Sequence, residues 1–85
     1  MSKDITEEIL LKVGFNKVTE HPYCIEYFLD KYKIVMSFYK GVWIDRRWTC
    51  GINQGSNFAM VDIKTMKHFN MLMDIMNIDF KLKEE

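Results

Sequence analysis

Residues Tyr23–Leu29 and Tyr32–Phe38 alternate apolar and mixed positions on either side of Asp30-Lys31. Alternation with period two marks half-buried strands. A two-residue loop at Asp30-Lys31 then predicts a hairpin. In that register Leu29 faces Tyr32, Tyr27 faces Ile34, Ile25 faces Met36 and Tyr23 faces Phe38. All of these fall on one face, because successive side chains point to opposite sides of a strand. Cys24, Glu26, Phe28, Lys33, Val35 and Ser37 fall on the other face, which is mixed in character.

The next connection is Tyr39-Lys40-Gly41. A two-residue loop at 40–41 sets Asp45 and Arg47 on the apolar face. A three-residue loop, with Gly41 in the left-handed position, instead pairs Phe38 with Val42 and Met36 with Ile44. The three-residue loop is the expectation. It brings Val42, Ile44 and Trp48 to the apolar face, with Arg46 at its fraying edge, and leaves Trp43, Asp45 and Arg47 on the mixed face. Gly51–Asn57 reads as a loop by composition, and Phe58–Val61 as a short fourth strand.

From Thr65 to Met76 the period changes. Met66, Phe69, Leu72, Met73 and Met76 recur at helical spacing, and Asp62 is placed to cap that helix. His68, Met71 and Ile75 widen the apolar arc, which predicts burial on more than one side. Thr6–Lys12 reads as a short helix with Ile5, Ile9 and Leu10 as its stripe, ended by Gly14. Asn77–Glu85 reads as a short tail with a charged end. The expected fold is α+β in a single domain, 1–85. It has a short N-terminal helix, an antiparallel three- to four-stranded meander, and a C-terminal amphipathic helix packed on one face.

The 85 residues leave no room for a second core. Twelve Lys and Arg balance twelve Asp and Glu, which argues against a generic nucleic-acid binder, since that function needs a basic field. The first residues are charged rather than leader-like, and no apolar run approaches the roughly 20 residues of a membrane span. The expectation is a cytoplasmic chain with reduced cysteines and no membrane partner.

Catalytic sets are thin. His21 and Cys24, with Cys50 and His68, have only one compact ligand pair, where zinc sites usually show two. No glycine-rich turn surrounds either cysteine to make a nucleophile elbow. Asp45, Asp62 and Asp74 fall on separate elements. No catalytic residue, metal or cofactor is expected. The richest constellation is Trp43, Arg46, Arg47 and Trp48 with the amides Asn53, Gln54 and Asn57. Arginine forks bind phosphate or carboxylate, tryptophan stacks or anchors, and amides read polar edges. The plainer reading makes Trp48 core and Arg47 a cross-strand partner of Glu26 or Asp45. On the mixed face, Phe28, Val35 and Trp43 are more apolar than a solvated face needs, which predicts a homo-oligomer interface.

Leu10, Leu11, Lys12, Gly14 and Phe15 fit a Leu-Leu-Lys-Asn-Gly-Phe phrase, and Ile63, Lys64, Met66, Phe69, Asn70 and Leu72 fit a closing helix of the form Ile-Lys-x-Val-His-Glu-Leu-Gln-x-Leu. Lys67 and His68 stand where that helix has His-Glu, and Val13 where the first phrase has Asn. With aromatic strands between these motifs, the chain resembles a group of small proteins encoded by phages and mobile elements of gut bacteria. The resemblance implies genomic context, an accessory protein that counters or modulates a host process. The expected function is a non-enzymatic binding protein that sequesters or blocks a host protein or a nucleotide-like signal. A small nucleic-acid-binding or regulatory module is the alternative.

Overall fold

A computed structural model describes residues 3–41, 46–54 and 57–83, with the side chains of all of these except 53–54 and 57–60. The elements run α1 (Glu7–Lys12), β1 (Asn16–Glu20), β2 (Cys24–Leu29), β3 (Ile34–Tyr39), β4 (Arg47–Gln54), β5 (Asn57–Ile63) and α2 (Met66–Ile75). The strands form one five-stranded antiparallel sheet in chain order. The α+β architecture is therefore the expected one, with an extra strand, β1, at its edge. Asn16-Lys17-Val18-Thr19-Glu20 lacks clean alternation because a register shift between Lys17 and Thr19 interrupts the pairing.

One face of the sheet carries the core. Ile25, Tyr27, Leu29, Ile34, Met36, Trp48, Cys50 and Ile52 are buried there, together with Leu10, Phe69 and Met73 from the helices. Only one side of α2 is buried. Met66, Phe69 and Met73 are enclosed, while Met71 and Ile75 are 52% and 74% exposed, so the expected burial on more than one side does not occur. No described helix is long and apolar enough to cross a membrane.

Both helices are ended by local chemistry. Thr6 caps α1 by accepting from the Ile9 N–H, and Thr65 caps α2 by accepting from the His68 N–H at 3.1 Å. Asp62 is not the cap, because β5 runs on through it to Ile63. At the end of α1, Gly14 takes φ +112° and donates to Leu11, while Phe15 donates to Leu10. Asn77, at φ +58°, plays the same part after α2, where Ile78 donates to Met73. Both are left-handed stops that satisfy carbonyls otherwise left open.

The hairpins differ from expectation in register. Leu29 pairs with Ile34 and Tyr27 with Met36, so the first loop spans residues 30–33. A two-residue loop demands positive φ that Asp-Lys supplies poorly. The longer turn needs it only at Lys33, φ +58°, whose N–H donates to Asp30 at 3.2 Å. It also frees Tyr32 to stack near Phe80, at 5.3 Å between ring centroids, and to donate to the Asp79 carbonyl. The second loop is not the three-residue turn. Phe38 pairs with Trp48 and Met36 with Cys50, so the connection runs over residues 40–46. Val42, Trp43, Ile44 and Asp45 lie outside the described residues. Gly51–Gln54, expected as loop, belongs to β4, and Asn57 opens β5. Burial of Cys50 and Ile52 against α2's side of the sheet favours this longer pairing over the local one.

The segment after α2 is not a loose tail. Leu82 is 2% exposed and belongs to the core, with Ile78 and Phe80 packed against it.

Candidate functional site

The start of β4 and the end of β5 lie side by side, with Trp48 opposite Ile63. Beyond them, the segment before α1 runs antiparallel to the start of α2. Ile5 donates to the Lys64 carbonyl at 3.0 Å, Met66 donates to that of Lys3 at 2.8 Å, and Asp4 stands opposite Thr65. These strands enclose an open cleft of about 660 Å³ at the end of the sheet. Ile5, Phe38, Trp48 and Ile63 supply its apolar lining, and Asp4, Arg46, Arg47, Asp62, Lys64 and His68 its polar lining.

Three basic side chains, Arg46, Arg47 and Lys64, thus share the cleft with two carboxylates, Asp4 and Asp62. Arg47 Nη1 lies 3.5 Å from Asp62 Oδ2, and its guanidinium sits over the Tyr39 ring at 5.6 Å. The partner of Arg47 is therefore Asp62 on β5 and not Glu26. Both ends of this pair are exposed. Such a pair contributes little stability and exchanges readily for an incoming anion. Chemically, the cleft offers a cationic rim over an aromatic and aliphatic floor, with carboxylates available to accept from ligand hydroxyl or amino groups.

Arg46, Arg47 and Trp48 are brought together here, as three of the residues singled out in the sequence. Trp48 itself is core. Its ring lies 4.8 Å from Phe38 and 5.6 Å from Tyr27, and it is 8% exposed, so it offers an edge rather than a stacking face. Asn53, Gln54 and Asn57 are strand residues, with Gln54 opposite Asn57 at the far end of the β4–β5 hairpin. Six residues of strand, about 20 Å, separate Gln54 from Trp48, so the backbone of these positions lies at the other end of the hairpin from the cleft. Phe28 and Val35 pair on the face away from the helices and are half-buried. Between β3 and β4 that face holds the small residues Ser37 and Thr49, both buried. Trp43 is outside the described residues.

Asp4, Phe38, Lys64 and His68 line the cleft without having been singled out as binding residues. They come from three separate stretches of chain, the segment before α1, β3 and the β5–α2 junction.

The thiols are not assembled for chemistry. Cys24 and Cys50 point to opposite faces of the sheet. Burial pushes the Cys50 thiol up to about 12, and partial burial beside Glu26 also raises that of Cys24. Both shifts disfavour the thiolate that nucleophilic or metal chemistry needs. Among the described residues no three His, Cys, Asp or Glu side chains cluster as metal ligands.

No protein-family model matches the chain, and no curated protein sequence or solved structure is significantly similar to it.

Proposed function

We propose that this chain is a non-enzymatic binding protein of a phage or mobile element, and that its end-of-sheet cleft receives a nucleotide-like anion from the host. The observation that supports this reading is the convergence of Arg46, Arg47 and Lys64 on a floor containing Phe38 and the edge of Trp48. Guanidinium groups recognise phosphate through paired hydrogen bonds, and an apolar floor beside them suits a base. A cleft of about 660 Å³ falls in the range of small-ligand sites. Withdrawing such a ligand from solution requires no catalytic group.

The test is isothermal titration of the purified chain with mono-, di- and cyclic nucleotides, inorganic phosphate and a short single-stranded oligonucleotide. Saturable binding of a nucleotide, lost in Arg46→Glu/Arg47→Glu with the fold retained, is the expected result. Tighter binding of the oligonucleotide, falling steeply with salt through counterion release, would move the function to nucleic-acid binding. No binding by any of these would leave the cleft without this role and point to a host protein as partner.

A further inference from the structure

The two edges of the sheet are not alike. β1 is interrupted at Val18 and carries Lys17 and Glu20, which form an ion pair. Bulges and charges of this kind stop an edge from pairing with another strand. β5 is seven residues long, and its register against β4 is unbroken from Ile63 to Asn57. It contains no Lys, Arg or Pro, and its one charge is Asp62. β4 covers one side of it, and no described strand covers the other along residues 57–63.

The direction of its backbone groups follows from parity. Lys64 turns its carbonyl outward, to Ile5 of the segment before α1. Backbone groups alternate sides along a strand, so Asp62, Met60 and Phe58 also turn outward. The hairpin agrees, since Gln54 opposite Asn57 closes a two-residue connection and assigns the Asn57, Ala59, Val61 and Ile63 groups to β4. The docked segment at Asp4 shows that a strand is already accepted on this side. It also bounds the vacant stretch at Ile63.

We propose that β5 is the dimer seam of this protein, pairing antiparallel with β5 of a second copy about a twofold axis at Met60. This inference gives the expected homo-oligomer a seam distinct from the open face, and the seam meets the cleft at Asp62 and Ile63. Self-pairing is favoured by the sequence of the strand. Centred on Met60, it uses residues 57–63 of both copies and stops where the Asp4 segment begins. Met60 then faces Met60, and Phe58 faces Asp62 of the other copy, so the like charges never face one another. Each outward pair exchanges two backbone hydrogen bonds.

Sedimentation of the full chain across a concentration series should show a dimer. Met60→Pro removes only an outward-facing N–H and should give a folded monomer. Met60→Arg sets like charges opposite on the axis and should do the same, which keeps the test open if the proline variant does not fold. Met60→Cys should cross-link to itself under mild oxidation, because the paired Cα atoms lie about 5.5 Å apart. A wild-type monomer at all concentrations would overturn the proposal, as would a dimer that both Met60→Pro and Met60→Arg leave intact. Nucleotide titration of the monomeric variants separates this result from the fate of the cleft.

Discussion

Asn70 on α2 holds Leu82 by both backbone groups. Its Nδ2 donates to the Leu82 carbonyl and its Oδ1 accepts from the Leu82 N–H, each at 2.8 Å. A side-chain amide here does the work of a neighbouring strand. It satisfies a backbone that would otherwise be desolvated when the Leu82 side chain enters the core. Lys81 adds to the seat by donating to the Asn70 carbonyl at 3.1 Å and pairing with Asp74.

Asn70→Ala is therefore expected to lower stability by about 1–3 kcal/mol, the cost of stranding buried polar groups. Leu82→Ala should cost about 2–5 kcal/mol as a core truncation. Urea denaturation of both variants and of the double variant gives the coupling. Losses that add without interaction would separate the clamp from the burial it is said to support.

Gly14→Ala tests the stop after α1. A Cβ there meets Leu29 Cδ1 at 3.6 Å, an ordinary contact, so space is not the obstacle. The obstacle is φ +112°, a conformation that side-chain-bearing residues rarely adopt. The expected loss is about 1–3 kcal/mol, read as a lowered thermal midpoint. An unchanged midpoint would show that the turn relaxes to another conformation.

The buried Tyr27 hydroxyl donates to the Glu7 carboxylate, which also pairs with Lys17 at 3.1 Å. Tyr27 first, and then Lys17, holds the Glu7 carboxyl below its ordinary value of 4.5. A depressed carboxylate contributes stability above its unfolded value and loses it as pH falls through the folded one. Acidification below about pH 4.5 should thus weaken the attachment of α1 to the sheet. Tyr27→Phe should be less stable at neutral pH and show a flatter acid limb. Equal slopes in the two proteins between pH 5 and pH 3 would sink the assignment.

Cys50 should be inert to alkylation in the native protein. It is fully buried, and burial holds its thiol up to about 12. Cys24 is half-buried at the start of β2 and should react first, slowly, because its thiol is also raised. Mass spectrometry after iodoacetamide at pH 8 should show one label at Cys24, with Cys50 labelled only in denaturant. Fast native labelling at Cys50 would mean that α2 opens far below the global unfolding free energy.

Much of the fold is legible in the chain because hydrophobic period is a local property. The β2–β3 pairing is offset by two residues from the expected two-residue hairpin, and the β3–β4 pairing by six from the expected three-residue one. Both offsets are even. The residues of β2, those of β3 up to Phe38, and Arg47 and Trp48 of β4 therefore keep their expected faces, with Tyr27, Met36 and Trp48 inward and Phe28, Val35 and Arg47 outward. The stop at Gly14 and the stripe Met66–Phe69–Met73 are equally local and equally visible. β1 escapes because an interrupted edge strand has no alternation to detect. Asn70 reads as a polar interruption of a helix until Leu82 is brought beside it.

The candidate site divides the same way. Arg46, Arg47 and Trp48 are adjacent in the chain, so any fold keeps them close. Asp4, Phe38, Lys64 and His68 reach them only through sheet pairing and the docked segment before α1. The sequence by itself determined which side of β2, of β3 and of the start of β4 is apolar, and the Met66–Phe69–Met73 stripe of α2, since these depend only on residue spacing. Tertiary structure decided how far each strand slides along its neighbour, because sliding by an even number preserves the face and leaves the choice to distant burial. That choice placed Trp48 opposite Ile63 and opened the cleft at the end of the sheet.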